Sequence, residues 1–255
     1  MNSFVKSKIS IVLVGIICVG WAGTSSANAE SVLYVKADAA GAGDGTTWAD
    51  AYTDLQVALA AAESGDHIWV AAGTYRPSGP SDRTATFQLR SGVEIYGGFA
   101  GTEVSRSERS PATNATVLSG DLNGNDQEVL EPPNLASEST RSDNSYHVIT
   151  GSGTDETAVL DGFVITGGNA NGPGNSNGGG MFNVSGSVPA NPTLVNCTFH
   201  RNSARLNGGG IYNELGDPTI TDCVFSENHG NGAPLGQGGG GVHNARGSLD
   251  RKSVV

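Results

Sequence analysis

Oxygen-bearing side chains alternate with other residues in the segment 121–126, which reads DLNGND. Because calcium prefers carboxylate and amide oxygens, the candidate ligands are Asp121, Asn123, Asn125 and Asp126. The spacing departs from an EF-hand loop, since Gly124 precedes the third ligand position and Pro132 stands where a bidentate Glu belongs. The same residue types favour an Asx-rich turn. The sequence therefore predicts a turn here, with calcium binding as the alternative.

Polysaccharide hydrolases require acidic side chains that flank the scissile bond. In this chain Asp161, Asn196 and Asp222 come close to recurring beside strands, yet none has a partner at the matching position. A turn residue that bonds to its own backbone accounts for each of them. No Ser, His and Asp arrangement typical of nucleophilic catalysis stands out. We therefore assign no catalytic or cofactor-binding residue, and expect no cofactor apart from the calcium alternative.

Two cysteines, Cys197 and Cys223, lie outside the N-terminal apolar run. An oxidising compartment favours a disulfide between them, but neighbours on parallel strands point the same way, which strains the bridge. We predict a reduced pair stacked in the core. The five histidines are dispersed without metal-ligand spacing. His243 occupies the place of Phe182 and Tyr212 in earlier repeats, which predicts a stacked planar side chain.

These residues belong to a repeat. Residues 192–202 (PTLVNCTFHRN) return as 218–228 (PTITDCVFSEN), an offset of 218 − 192 = 26. A glycine element ending in Asn occurs at 178–183, 208–213 and 239–244, at offsets of 30 and 31. Short β-type segments repeated at this length are typical of a solenoid, and 38 glycines disfavour a helical repeat. The sequence predicts an all-β fold, a single-stranded right-handed parallel β-helix.

We call one complete turn of the coil a circuit. Parallel stacking of successive circuits, about 4.8 Å apart, places matching residues above one another. We expect like residues to touch: Phe199 and Phe225, Cys197 and Cys223, Asn202 and Asn228. An asparagine ladder suits a sharp interior turn, because the amide donates and accepts along the stack. Glycines suit the corners, where neighbouring circuits approach closely.

One helix is predicted before the first circuit. Thr53 and Gln56 fit a capping box, and the residues that follow form an apolar face of Leu55, Ala58, Leu59 and Ala62. A helix here would cover the apolar cross-section and unpaired strand edges at the end of a β-helix. We expect Leu55, Leu59 and Trp48 to close this end.

The predicted organisation has four parts. They are a signal peptide (1–29), an N-terminal cap of a strand plus a helix (30–66), the β-helix circuits (67–249) and a tail (250–255). Within the circuits, residues at about 127–143 show no periodicity, and we expect a disordered, solvated insert. The tail DRKSVV breaks the repeat and resembles a translated sequencing adapter. We therefore expect a truncated chain whose further circuits and anchor domain are missing.

The first residues predict export. Lys6 and Lys8 precede an apolar run at 9–22, and the small residues 27–29 offer a cleavage site. The run is too short to span a bilayer permanently, so we expect no membrane span after cleavage. Without the leader, 14 − 2 = 12 basic residues stand against 25 acidic ones. This balance argues against nucleic acid as a partner, and against an anionic polymer without a bridging cation.

The repeats resemble those of a known family. The FxxN motifs at Phe199 and Phe225, alternating with Gly-Gly-x-(Ile/Met/Val), look like the paired repeats of the chlamydial polymorphic outer membrane proteins. The segment 65–75 (GDHIWVAAGTY) and the Gly-Gly-Phe-x-Gly-Thr-Glu motif at 97–103 are similar to secreted pectate-lyase-like β-helix proteins of environmental bacteria. The resemblance covers nearly all of the chain after the leader. It implies a right-handed parallel β-helix exposed at a surface, and no single activity.

The expected function is that of a secreted protein, or one at the cell surface or outer membrane of a bacterium. The chain would be a noncatalytic structural, adhesion or glycan-binding module, with polysaccharides or glycans of cell surfaces and matrix as its partners. The alternative is a polysaccharide lyase or glycoside hydrolase whose active site lies in missing C-terminal circuits. A recurring carboxylate cluster along one face would favour the enzyme. An anchor domain would favour the noncatalytic module.

Overall fold

The computed structural model describes residues 31–174, 176–232 and 238–246, together with the backbone of 250–252, of the 255-residue chain. The signal peptide predicted for 1–29 lies outside these residues, as do residues 253–255 of the predicted tail.

The described chain is mostly β-structure with short strands. The first circuit is preceded by β1 (Val32–Val35) and α1 (Leu55–Ala61). The strands that follow are β2 (His67–Ala71), β3 (Gly73–Tyr75), β4 (Phe87–Gln88), β5 (Glu94–Phe99), β6 (Thr116–Ser119), β7 (Ile149–Thr150), β8 (Val159–Asp161), β9 (Phe163–Thr166), β10 (Asn169–Ala170), β11 (Met181–Val184), β12 (Thr193–Val195), β13 (Thr198–His200), β14 (Ser203–Ala204), β15 (Ile211–Glu214), β16 (Thr219–Thr221), β17 (Val224–Ser226), β18 (His229–Gly230), β19 (Val242–Asn244) and β20 (Asp250–Lys252). Three 3-10 helices cover Arg106–Glu108, Pro132–Ser137 and Ser139–Asp143.

All strands pair in parallel and build four sheets. Sheet A has the order β1-β2-β5-β8-β12-β16-β20, and sheet B the order β17-β13-β9-β6-β3. Sheet C has the order β19-β15-β11-β7-β4, and sheet D joins β10, β14 and β18. Successive strands enter these sheets in turn, so each strand pairs with its counterpart one circuit later. This all-parallel arrangement is consistent with a parallel β-helix.

The core is built by every second residue of each strand. In sheet A one apolar row stacks in register from Ile68 through Ile95, Leu160 and Leu194 to Ile220, and each of its members is at most 1% exposed. Side chains alternate between the two faces of a strand, so the remaining positions of sheet A point outward. Alternation thus separates a continuous apolar interior from an outer face that carries aromatic and polar side chains.

The stacking predicted for the repeat is confirmed. The Phe199 and Phe225 rings lie 5.1 Å apart between centroids, at an interplanar angle of 7°. Asn202 Nδ2 donates to Asn228 Oδ1 at 3.1 Å, and Asn228 Nδ2 donates to the Phe199 carbonyl at 2.7 Å. The asparagines therefore satisfy one another and the backbone at a buried corner.

The glycine elements lie where circuits approach each other closely. A Cβ on Gly180 would stand 2.6 Å from the Gly210 carbonyl oxygen, and Gly178 has φ +70°. A side chain at Gly180 would displace this carbonyl, and one at Gly178 would require a strained positive φ. Sequence spacing had predicted glycines at such corners, and this position confirms the physical reason.

Helix α1 has the predicted buried face, but its first cap differs from the predicted one. Leu55, Ala58 and Leu59 are buried with Ile68 in the main core. The N-cap is Asp54, whose side chain accepts from the backbone N–H of Gln56. The capping box predicted from Thr53 is wrong, because the carboxylate one residue later reaches the free N–H groups of the first turn.

Trp48 lies elsewhere than expected. It packs with Tyr34 and Phe99 in a second aromatic cluster, separate from the main core, and its Nε1 donates to the Glu103 carbonyl at 2.9 Å. This cluster stands on the outer face of sheet A, where Trp69 also points. Leu55 and Leu59 contribute to the core at this end, and Trp48 covers the outside.

The segment 127–143 differs from the solvated, disordered excursion that its composition predicts. It carries two 3-10 helices and buries Leu135 and Arg141, at 1% and 3% exposure. Arg141 Nη2 donates to the carbonyls of Gly168 and Arg201, at 3.1 and 3.2 Å. Contacts made by single side chains, without any periodic pattern, order this segment.

Candidate functional site on the outer face of sheet A

The outer face of sheet A collects polar side chains from consecutive circuits. His67, Glu94 and Val159 are in register on β2, β5 and β8, and Tyr96 stands beside Asp161 in the next row. The loop after β5 folds over this face and brings its own arginines. Its 3-10 helix Arg106–Glu108 is held by a capping box between Ser105 and Glu108.

Glu94 is the centre of a first cluster. Its Oε2 lies 3.2 Å from His67 Nε2 and 3.6 Å from Arg106 Nη1, and it also accepts from the Tyr96 hydroxyl. Burial, followed by the hydrogen bond to Glu94, raises the pKa of Tyr96 well above its usual value. The raised pKa keeps the phenol neutral as a donor to Glu94. The guanidinium of Arg106 lies over the Tyr96 ring, 4.6 Å from its centroid, and packs the ring in place.

Asp161 is the centre of a second cluster. Its Oδ2 accepts from Arg109 Nη2 at 2.6 Å, and its Oδ1 accepts from Asn196 Nδ2 at 3.0 Å. Arg109 also donates to the carbonyl of Gly97 at 3.1 Å. Both carboxylate oxygens therefore accept hydrogen bonds, which fixes the orientation of the Asp161 side chain.

Three adjoining cavities join the clusters into one groove. The first, of about 520 Å³, is lined by Val32, His67, Glu94 and Arg106. The second, of about 500 Å³, shares Arg106 with the first and reaches Asn196. The third, of about 260 Å³, shares Asn196 with the second and ends at Asp222 and Val224. The groove begins at β1 on sheet A and ends at the border with sheet B, where Phe163, Val164 and Thr198 line the third cavity. The circuits from β1 to β16 span about 24 Å at 4.8 Å per step.

The groove offers planar hydrogen-bonding groups rather than a reactive pair. Arg106, half of whose side chain is exposed, presents donors. Glu94 and Asp161 both have several polar partners. Groups of this kind recognise hydroxyl-rich ligands by hydrogen bonds.

The carboxylate candidates of the sequence are only partly brought together. Asp161 and Asn196 are hydrogen-bonded neighbours, whereas Asp222 lies at the far end of the groove. Asn196 and Asp222 have φ values of 50° and 51°, in the left-handed region that Asn and Asp tolerate best. The turn role predicted for these two residues is supported by this backbone.

The 121–126 loop is folded as an Asx-rich turn. Asp121 Oδ1 accepts from the N–H groups of Gly124 and Asn125 at 2.7 and 3.1 Å, and Oδ2 accepts from that of Asp126 at 3.0 Å. Asp126 Oδ2 is in turn engaged by Arg141 and Asn144, both at 2.8 Å. Both carboxylate oxygens of Asp121 and the Oδ2 of Asp126 are thus directed at donors, whereas Asp126 Oδ1 is buried without a hydrogen-bond partner. In the described part of the chain, no three His, Cys, Asp or Glu side chains converge as a metal site.

Cys197 and Cys223 are buried as free thiols. Each Sγ points to a carbonyl of the preceding circuit, that of Leu160 at 3.5 Å and that of Leu194 at 3.7 Å. Burial raises the pKa of the Cys197 thiol. Both sulfurs fill the core and are inaccessible to a substrate.

The stacked role predicted for His243 is confirmed. Its ring lies 5.6 Å from that of Tyr212, which lies 5.9 Å from that of Phe182, at interplanar angles of 4° and 14°. His147 extends the stack on the other side of Phe182, at 4.8 Å. The ring faces cover one another, so this row presents edges, not faces, to a ligand.

Sequence reasoning missed Glu94, Tyr96, Arg106 and Arg109. Glu94 and Tyr96 lie at alternate positions of a predicted strand, and this outward phase was the available signal. The arginines lie on a loop without repeats, so no pattern pointed to them.

None of the helices in the described residues has the length and apolar character that a bilayer crossing needs. Comparisons of the chain with protein-family models, with curated proteins and with solved structures found no match.

Proposed function

We propose that this protein is an exported, single-stranded right-handed parallel β-helix, a noncatalytic module that binds extended neutral glycans along the groove of sheet A. Its place is the surface or surroundings of a bacterial cell, where the polymorphic outer membrane proteins that it resembles are found. The leader-like N-terminus supports export. The general right-handedness of connections between parallel strands supports the hand of the coil.

The continuous groove is the observation that carries this proposal. A cleft that crosses about 24 Å of stacked strands suits a polymer that runs along the axis better than a compact metabolite. Its arginine, tyrosine and amide groups are fixed by neighbours such as Glu94 and Asp161, so little side-chain entropy is lost on binding. The net charge of −11 disfavours polyanionic chains and leaves neutral glycans as the fitting class.

Binding without turnover follows from the engaged carboxylates. A glycoside hydrolase needs one protonated and one ionised carboxyl group on either side of the bond. Asp161 is held by Arg109 and Asn196, and Glu94 by His67, Arg106 and Tyr96. These carboxylates position donors for a ligand and are not placed to exchange protons with it.

The test measures glycan binding by calorimetry with soluble neutral oligosaccharides of increasing length. Arg106→Ala should weaken binding by about tenfold, the usual effect of one lost hydrogen bond to a charged group. Arg246→Ala, which removes an exposed arginine outside the groove, should leave binding unchanged. Equal affinities of the two variants for the oligosaccharides would refute the groove as the binding site. Turnover of neutral polysaccharides or polyuronates by the purified protein would refute the noncatalytic assignment.

A further inference from the structure

Another cavity, separate from the three of the groove, lies between the insert (127–143) and sheet D. The 3-10 helix Pro132–Ser137 packs across β10, β14 and β18, and a cavity of about 380 Å³ remains at its side. It is lined by Pro133, Ala136, Ser137, Asn171, Arg205, His229 and Asn231. The volume is in the range of small-molecule sites, roughly 300–1,000 Å³.

Hydrogen-bonding side chains stack on one wall of this cavity. Ala170, Ala204 and Gly230 are in register, so the residues that follow them, Asn171, Arg205 and Asn231, lie one above another. Arg205 is exposed, and its guanidinium has no carboxylate partner among the described residues. An unpaired arginine flanked by two amides is a cluster of donors.

The orientation of Asn171 is fixed from behind. Arg83 Nη2 donates to Asn171 Oδ1 at 2.8 Å, which leaves the amide nitrogen of Asn171 to donate. The Arg83 guanidinium is itself held over the Tyr146 ring, 4.3 Å from its centroid. Burial lowers the pKa of His229, so its ring is neutral near pH 7 and offers one N–H.

The lining contains no acidic side chain, although the protein carries a net charge of −11. A guanidinium with adjacent N–H donors matches a carboxylate, which it can bind with two parallel hydrogen bonds. The opposite wall, Pro133 and Ala136, is apolar and suits the C–H surface of a ring. We propose that this cavity binds the carboxylate group of a compact organic ligand, with Arg205 as its main anchor.

The experiment compares three probes on the full chain by calorimetry and NMR at millimolar concentrations. Glucuronate and glucose differ at one carbon, which carries a carboxylate in the first and a hydroxyl group in the second. Cyclohexanecarboxylate carries the same anion on a ring without hydroxyls. We expect glucuronate to bind, glucose to bind at least about tenfold more weakly, and Arg205→Gln to lose about tenfold in affinity for glucuronate.

Arg246→Gln is the matched control, because it removes the same charge from a side chain outside the cavity. It should retain the affinity for glucuronate. If cyclohexanecarboxylate binds as well as glucuronate, a carboxylate on an apolar ring is sufficient for binding. If cyclohexanecarboxylate does not bind, the ligands of the cavity are acidic sugars. The proposal is overturned if neither carboxylate binds, if glucose binds as well as glucuronate, or if Arg205→Gln binds unchanged while its thermal unfolding matches the parent.

Discussion

At the scale of single residues, asparagines bond to polar groups at two corners of the later circuits. One ladder runs through Asn202 and Asn228. The other runs from Asn183 to Asn213 at 2.6 Å and on to Asn244 at 2.7 Å. Asn183 and Asn213 each donate to a local carbonyl as well as to the next circuit. Asn202 and Asn228 donate to carbonyls of the preceding circuit, at Ile165 and Phe199, so the amides satisfy backbone groups at a sharp turn.

Asn202→Ala tests the ladder. Asn202 is fully buried and its side chain bonds to Ile165, Gly168 and Asn228, so the substitution removes three buried hydrogen bonds. We expect unfolding to require about 2–3 kcal/mol less free energy. Asn123→Ala, at an exposed position, should change the free energy by less than about 0.5 kcal/mol. Chemical denaturation measures both, and equal values would contradict the ladder.

Asp126 predicts an effect of pH. Burial raises its pKa from 3.8 to about 6, against the opposing attraction of Arg141. Because the folded state binds the proton more tightly, this group stabilises the fold fully below pH 3.8 and loses that effect as pH rises through 6. We expect the parent to gain on the order of 2 kcal/mol over Asp126→Asn when the pH falls from 7 to 4. Parallel stability curves for the two proteins would contradict the shift.

At the scale of elements, helix α1 buries one face against the first strands. Leu59 is 4% exposed, whereas Val57 on the same helix is 49% exposed. Leu59→Asp should give an insoluble or unfolded product, because a buried charge in this core has no partner. Val57→Asp should remain soluble and folded. Soluble expression and thermal melts of both variants test this prediction. A soluble, folded Leu59→Asp protein would refute the role of helix α1 as a cap of the core.

The elements that could be predicted from the sequence are those that repeat. Phe199 over Phe225 and His243 over Tyr212 follow from matched positions, since a parallel stack turns sequence offset into contact. The N-cap at Asp54, the Trp48 contact and the order of the insert could not be predicted, because each depends on one side chain that meets a non-repeating partner. Likewise, Arg106 and Arg109 reach sheet A from a loop, so the groove has no periodic signal.

At the scale of the whole molecule, the register of the sheets predicts that circuits are modular. Deletion of residues 192–217 joins Asn191 to Pro218 and removes one repeat length of 26 residues. The remaining strands keep their inward and outward phase, so this variant should fold with a β-type circular dichroism spectrum and a cooperative melt. Deletion of 192–204 removes half a circuit and should abolish the cooperative transition. Two folded variants would contradict the solenoid register.

The insert has a mechanical consequence. The insert (127–143) connects β6 to β7. Its Arg141 side chain donates hydrogen bonds to carbonyls of the next two circuits, at Gly168 and Arg201. We therefore expect these hydrogen bonds to make three neighbouring circuits unfold together when the protein is pulled along the axis. In a single-molecule pulling experiment they should give way in one large extension step, and Arg141→Ala should divide that step into smaller ones at lower force.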